Sequence, residues 1–228
     1  MGLARLVLDL RRRLRLRRTP PGPLRDYLAT PFPDPACDYR DAELLAVDLE
    51  TTGLDPRRDQ ILSIGYVRIG TTRIDLSSAR HHTIRIDHAI PEASAIIHQI
   101  TDDQAARGEN LGDAMKAFLT ALAGRVMIAH HAHIERTFLN AACRRLYGRG
   151  LFTLVADTQL LARRGFERRN IPYKAADLRL HALGERYNLP RYDAHNALSD
   201  ALAAAELFLA QAAYRDNGHG LPLKAFLC

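Results

Sequence analysis

Apolar positions along this 228-residue chain follow two rhythms. The run LLAVDLE (44–50) has strand length and stops at the turn-forming TTGLDP. QILSIGYVRIG (60–70) and HHTIRID (81–87) read as further strands, and TTRID (71–75) is either a strand or a turn between them. VMIAHH (126–131) and FTLVAD (152–157) are short strands, the first of them buried. Helical spacing covers 3–18, 101–106, 111–123, 133–147, 158–164, 176–186 and 194–214. Three strands at hairpin-like spacing, followed by strands that alternate with helices, predict an α/β fold with a mixed sheet flanked by helices.

The N-terminal stretch stands apart. Residues 3–18, LARLVLDLRRRLRLRR, place apolar residues before basic ones, the reverse of a secretory signal. An organelle transit peptide has the same Arg-rich, acid-poor character and stays as an alternative. TPPGP (19–23) ends this helix and ATPFPDPA (29–36) is a Pro-rich connector. The expected division is a basic helical arm and linker over 1–40 and a folded domain over 41–228.

Charge sharpens that division. The net charge of +6 is concentrated in residues 1–25, where eight arginines face the single acid Asp9. The rest holds 24 basic and 25 acidic side chains and is nearly neutral. Such an arm can hold phosphates of nucleic acid or anionic lipid, or it can be a solvated helix packed on its own domain. The 29 arginines against three lysines favour phosphate forks, or reflect genomic base composition. Cys37, Cys143 and Cys228 are odd in number and far apart, which argues against a disulfide scaffold or a thiolate zinc site. A reducing cytoplasm is the expected compartment, and no apolar run approaches the ~18 residues of a membrane span.

Four acids occupy apolar surroundings. Asp48 and Glu50 share one face of the first strand with Leu44 and Ala46. Two carboxylates so placed repel each other, so either a cation sits between them or the strand is an edge with solvated acids. Hard oxygen donors suit magnesium or manganese. On the helix 133–147, Ile134, Phe138, Leu139, Ala142 and Leu146 form an apolar stripe with Glu135 near its centre. Glu135 alone can also be explained as a first-turn acid favoured by the helix dipole. In the last helix Asp200 points between Ala204 and Leu207, and His195 lies at the helix entry. One shared carboxylate cavity holding metal explains all four acids, with the histidine beside it as a base that titrates near neutral pH.

The segments AVDLETTGLDP (46–56), IAHHAHIERTFL (128–139) and HNALSD (195–200) resemble the three motifs of the DEDDh 3′–5′ exonucleases of the DnaQ-like family. That family includes the epsilon subunits of DNA polymerase III, RNase T and oligoribonuclease. The resemblance covers about residues 43–214. IIHQIT (96–101) and VADTQLLAR (155–163) are similar to two further family segments. The position that carries Tyr in the related DEDDy branch holds Asn196, so the His branch is indicated. The usual H-N-A-x-F-D reads here His130-His131-Ala132-His133-Ile134-Glu135, with His131 in the Asn position and Glu135 in the Asp position. The run of histidines at 130, 131 and 133 suggests zinc only weakly, because residues 130 and 131 would point opposite ways on a strand.

The resemblance implies an RNase H-like fold, with a central sheet of three antiparallel and two parallel strands. It implies two divalent cations, Mg2+ or Mn2+, roughly 4 Å apart, held by Asp48, Glu50, Glu135 and Asp200. His195 would take the proton of the attacking water. Thr51, Thr52 and Leu54 would line the pocket for the terminal nucleotide, with His98 and His131 also on the substrate. The implied activity is hydrolysis of terminal phosphodiesters from a free 3′ end, expected single-stranded, to give nucleoside 5′-monophosphates. The arm would extend contact to upstream phosphates. An epsilon-like proofreading subunit partnered with a polymerase is the alternative. The 28 residues after Asp200 and the N-terminal extension tilt the expectation toward a stand-alone enzyme. A nucleic-acid-binding module with reduced catalysis is a further alternative, supported by the departures at His131 and Glu135.

Overall fold

The computed structural model describes residues 2–86, 106–192, 196–216 and 218–228. Its centre is a five-stranded mixed sheet in the order β3-β2-β1-β4-β5. β1 (Leu44–Thr51) pairs antiparallel with β2 (Ile61–Gly70), and β2 with β3 (Arg73–Thr83). On the other side of β1 lie β4 (Val126–Ala129) and then β5 (Val155–Asp157), all three parallel. This is the RNase H-like arrangement of three antiparallel and two parallel strands.

The third strand begins earlier than its sequence suggests. Thr71 and Thr72 have φ of 47° and 60°, as both central residues of a tight hairpin turn require. The chain therefore re-enters the sheet at Arg73 rather than His81. β3 is an edge with mostly exposed side chains, so no apolar alternation marks its first half.

The helices among the described residues are α1 (Leu3–Arg18), α2 (Pro23–Ala29), α3 (Leu111–Leu122), α4 (His133–Tyr147), α5 (Thr158–Arg168), α6 (Leu180–Arg186) and α7 (Ala197–Asp216). The segment from Ala175 to Leu178, expected to open a continuous helix, is a separate 3-10 turn. Most of the helix expected at 101–106 lies outside the described residues.

Two apolar layers clasp the sheet. Leu45, Val47 and Leu49 of β1 pack with Tyr27 and Leu28 of α2, Phe118 of α3 and Phe138 of α4. On the opposite face Leu44 and Ala46 meet Ala205, Phe208 and Ala212 of α7, with Phe226 closing the layer. Packing therefore runs across residue 40. α2, hidden in a Pro-rich stretch, starts with Pro23 in its first turn, where the missing N–H costs nothing. Arg12 of α1 is buried, and its guanidinium donates to the carbonyls of Leu28 (2.6 Å) and Ala29 (3.2 Å). It thereby satisfies the C-terminal carbonyls of α2 and fixes α1 against it. No helix among the described residues is long and apolar enough to cross a membrane.

Candidate active site

Strand alternation sets the first two acids. Asp48 and Glu50 continue the β1 face of Leu44 and Ala46, the face covered by α7. Gly65 of β2 pairs with Asp48. A Cβ on Gly65 would lie 2.2 Å from the backbone carbon of Ala197 and the nitrogen of Leu198. The bare glycine therefore lets the first turn of α7 descend onto the sheet. Asp200, in that first turn, is delivered beside the β1 acids. One carboxylate oxygen from each of Asp48, Glu50 and Asp200 lies within 4.8 Å of the others.

Glu135 arrives from the other layer. α4 follows β4, which runs parallel to β1, so its first turn stands at the same C-terminal edge of the sheet. That edge is where ligands of parallel sheets bind. Glu135 is buried, and its Oε2 has no hydrogen-bond partner among the described residues. It stands outside the group of three that closes to 4.8 Å, yet near enough for its charge to act on Asp48.

The electrostatics report crowded acids. Burial pushes Asp48 well above the usual carboxylate range, and the charges of Glu135, Glu50 and Asp200 push the same way. Burial raises Glu135 to about 8, with Asp157 and Glu50 adding to it and a backbone hydrogen bond opposing it. Like charges packed this closely in a partly dry pocket call for a cation. An all-carboxylate donor set suits a hard divalent ion rather than zinc.

His195 and His98 lie outside the described residues. The other expected substrate residues surround the end of β1. Thr51 is buried and its hydroxyl donates to the Gly53 carbonyl at 2.7 Å. Thr52 accepts from the Gln60 amide at 3.0 Å, closing the turn that leaves Leu54 78% exposed. His131 is exposed in the turn before α4 with φ of 58°. That left-handed conformation is one that Asn and His tolerate better than most residues, a physical reason for either residue at this place in the motif.

Three residues near the site were missed in the sequence. Asp157, at the end of β5, caps α5 by accepting from the amides of Gln159 and Leu160. It also accepts from the amides of His131 and Ala132, tying the start of α4 to α5. An Asp-Thr pair between a strand and a helix is the signal that could have marked it. His181 of α6 places Nε2 4.0 Å from Asp200 Oδ1. His81 of β3 is close enough to Glu50 to feel its charge, although burial holds its pKa below the ordinary value. Nothing in local sequence marks either histidine, since both reach the site through sheet and helix packing.

Fold and site together define an RNase H-like α/β protein with a carboxylate centre at the C-terminal edge of its central strand. A model of the exonuclease family RNase_T matches residues 45–208. The chain belongs to this family. It is 32% identical over 177 residues to the DNA polymerase III subunit epsilon of Treponema pallidum, covering 76% of this chain and 79% of that one. It is 28% identical to the PolC-type DNA polymerase III of Thermotoga petrophila but spans only 12% of that protein's length. Two solved structures share the fold. The nuclease domain of 3′hExo, a DEDDh family member bound to rAMP, superposes with a TM-score of 0.64 at 15% identity, covering 79% of this chain and 95% of that one. Exonuclease X in complex with 5′ overhanging duplex DNA superposes with a TM-score of 0.60 at 21% identity, covering 80% and 97%.

Proposed function

We propose that this chain is a metal-dependent 3′–5′ exonuclease that releases nucleoside 5′-monophosphates from the 3′ end of a nucleic acid strand. The observation that carries this reading is the convergence of Asp48, Glu50 and Asp200 to within 4.8 Å in a chain of the exonuclease family. Those three carboxylates would hold divalent cations, Mg2+ or Mn2+, with Glu135 completing the set from α4. Bound there, such ions supply Lewis acidity that makes water a better nucleophile and offsets charge building on phosphorus.

The chain's own residues do the rest. His195, five residues before Asp200, takes a proton from the attacking water, a role worth typically ~10²–10⁴-fold. The bond that forms joins the water oxygen to phosphorus. The bond that breaks joins phosphorus to the 3′ oxygen of the penultimate nucleotide, which takes its proton from solvent water as it leaves. Thr51, Thr52, Leu54, His98 and His131 are the residues we assign to the terminal nucleotide. His181, beside Asp200, adds a donor on the open side of the cluster. Residues 1–40 are read as an arm on an exonuclease domain over 41–228, with α2 of the arm built into the domain's core, and the cytoplasm as its compartment.

The test is a 3′-labelled oligonucleotide incubated with Mg2+, with Mn2+ and with EDTA. Label should appear as mononucleotide with either ion and not with EDTA. Asp48→Ala and Asp200→Ala should abolish release while circular dichroism stays native; wild-type rates in both variants would remove the proposal. His195→Ala should keep ion binding and lose turnover by orders of magnitude.

A second reading is favoured by the Treponema pallidum relative, matched over most of its length: a proofreading subunit. Co-purification with a polymerase catalytic subunit would establish it.

A further inference from the structure

A large cavity lies away from the acid cluster. It is a trough of about 1070 Å³ between α1 and α4, lined by Arg11 and Arg15 on one wall and Arg136 on the other. A second hollow of about 460 Å³ shares Arg11, Arg15 and Phe152 with it and adds Arg18 and Arg149. The two meet at these shared residues and are treated together as one groove, and no acidic side chain among the described residues lines either part. α1 carries a single acid, Asp9, and that acid is held by Arg12 and Arg13 away from the groove. The side chains of Arg11, Arg18 and Arg136 make no hydrogen bond or ion pair among the described residues, and all three are exposed. Arg15 stacks its guanidinium over the Phe152 ring at 4.6 Å.

This groove is built rather than incidental. Arg12 locks α1 onto α2, and α2 is embedded in the core, so the arginine wall is fixed relative to α4. The α4 wall presents Arg136, one residue after Glu135. Successive helical residues point about 100° apart, so Glu135 faces the acid cluster while Arg136 faces the groove.

We propose that this groove holds the sugar-phosphate backbone of the strand being degraded, upstream of its 3′ end. The inference rests on the exonuclease reading for the identity of that strand. Guanidinium forks along a trough match phosphates spaced along a single strand. α1, 16 residues and so about 24 Å long, can follow several nucleotides. Leu6, Leu10 and Leu14 of α1 are exposed, Leu14 at the second hollow itself, and they make an anionic bilayer the competing occupant.

The experiment compares the full chain with an Arg11→Gln/Arg18→Gln/Arg136→Gln variant and with the matching Arg→Lys variant. Anisotropy of 5′-labelled dT20 and rU20 is measured in EDTA across a salt series. Loss of three phosphate contacts should lower the slope of log affinity against log salt by about 2, at ~0.7 per contact for a single strand. The Lys variant should keep the wild-type slope, which separates charge from folding damage. With Mg2+, kcat/KM for dT20 should fall in the Gln variant relative to that for a trinucleotide too short to reach the groove. An unchanged slope and an unchanged ratio would overturn the proposal. So would loss of binding to phosphatidylglycerol vesicles with dT20 binding intact. Mononucleotide release by the wild type with no slope change would sink the groove and spare the exonuclease. A slope change with no release would do the reverse.

Discussion

Glu135 is a carboxylic acid set into an apolar helix face, and its ionisation should be visible in stability. Its pKa of about 8 in the folded chain stands above the ordinary 4.5. Between those values the folded state binds the extra proton, so stability falls as pH rises through this range. His130, buried and depressed from 6.5 to about 4, works the opposite way below pH 6.5. Asp48, raised as well, works in the same direction as Glu135, so the window from pH 6.5 to 8 is free of His130 and reports the two acids together. There the urea midpoint in EDTA should fall with pH, Glu135→Gln should lessen the fall, and Mg2+ should restore stability at pH 8. A flat wild-type profile would show that Glu135 is not held in an uncompensated site.

The same scale shows what the sequence could and could not disclose. Asp48, Glu50 and Glu135 stood out because acids on apolar faces are energetically conspicuous within one element. In the sequence Asp157 is one member of the family-like segment VADTQLLAR. Its work is done through four backbone amides drawn from two separate segments, and no one-dimensional pattern contains that convergence. Asp157→Ala should cost about 2–4 kcal/mol from the lost cap and charge-assisted bonds, read from thermal melts. Because it loosens the start of α4, it should also weaken metal affinity by calorimetry. A stability loss below ~0.5 kcal/mol would show the hub to be dispensable.

At the scale of elements, the site depends on how closely α7 lies on β2. Gly65 is the contact that sets this distance, since a methyl there would strike main-chain atoms of Ala197 and Leu198. Backbone cannot yield as a flexible side chain can. Gly65→Ala should therefore cost at least the ~1–3 kcal/mol of an overpacked core. It should also displace Asp200 from Asp48 and so reduce Mg2+ affinity more than a core substitution remote from the site. Elements with a buried face were legible in the sequence: β1, β2, β4 and α4 fall close to where apolar periodicity put them. β3 and α2 were not. The first is an exposed edge without apolar alternation, and the second is a seven-residue helix whose flanking prolines look like linker.

At the scale of the whole molecule, the arm and the domain exchange structure across residue 40. Leu24, Tyr27 and Leu28 are buried to 1% exposure or less, and they cover Met115, Phe118 and Leu122 of α3. A chain cut to residues 41–228 would leave that side of α3 facing water. Burying each of these large side chains is worth ~1.5–3 kcal/mol, which together is a large fraction of the ~5–15 kcal/mol that holds a domain of this size. The truncated chain should melt far below the full one, or form aggregates by light scattering. Cutting instead before Pro23 removes α1 and its groove but keeps α2 in the core, so that shorter deletion should stay folded. The two truncations separate the arm's parts: α2 as core, α1 as a surface laid over it. Equal melting temperatures for the full chain and residues 41–228 would make the arm an appendage after all, and would remove the rigid wall on which the arginine groove depends.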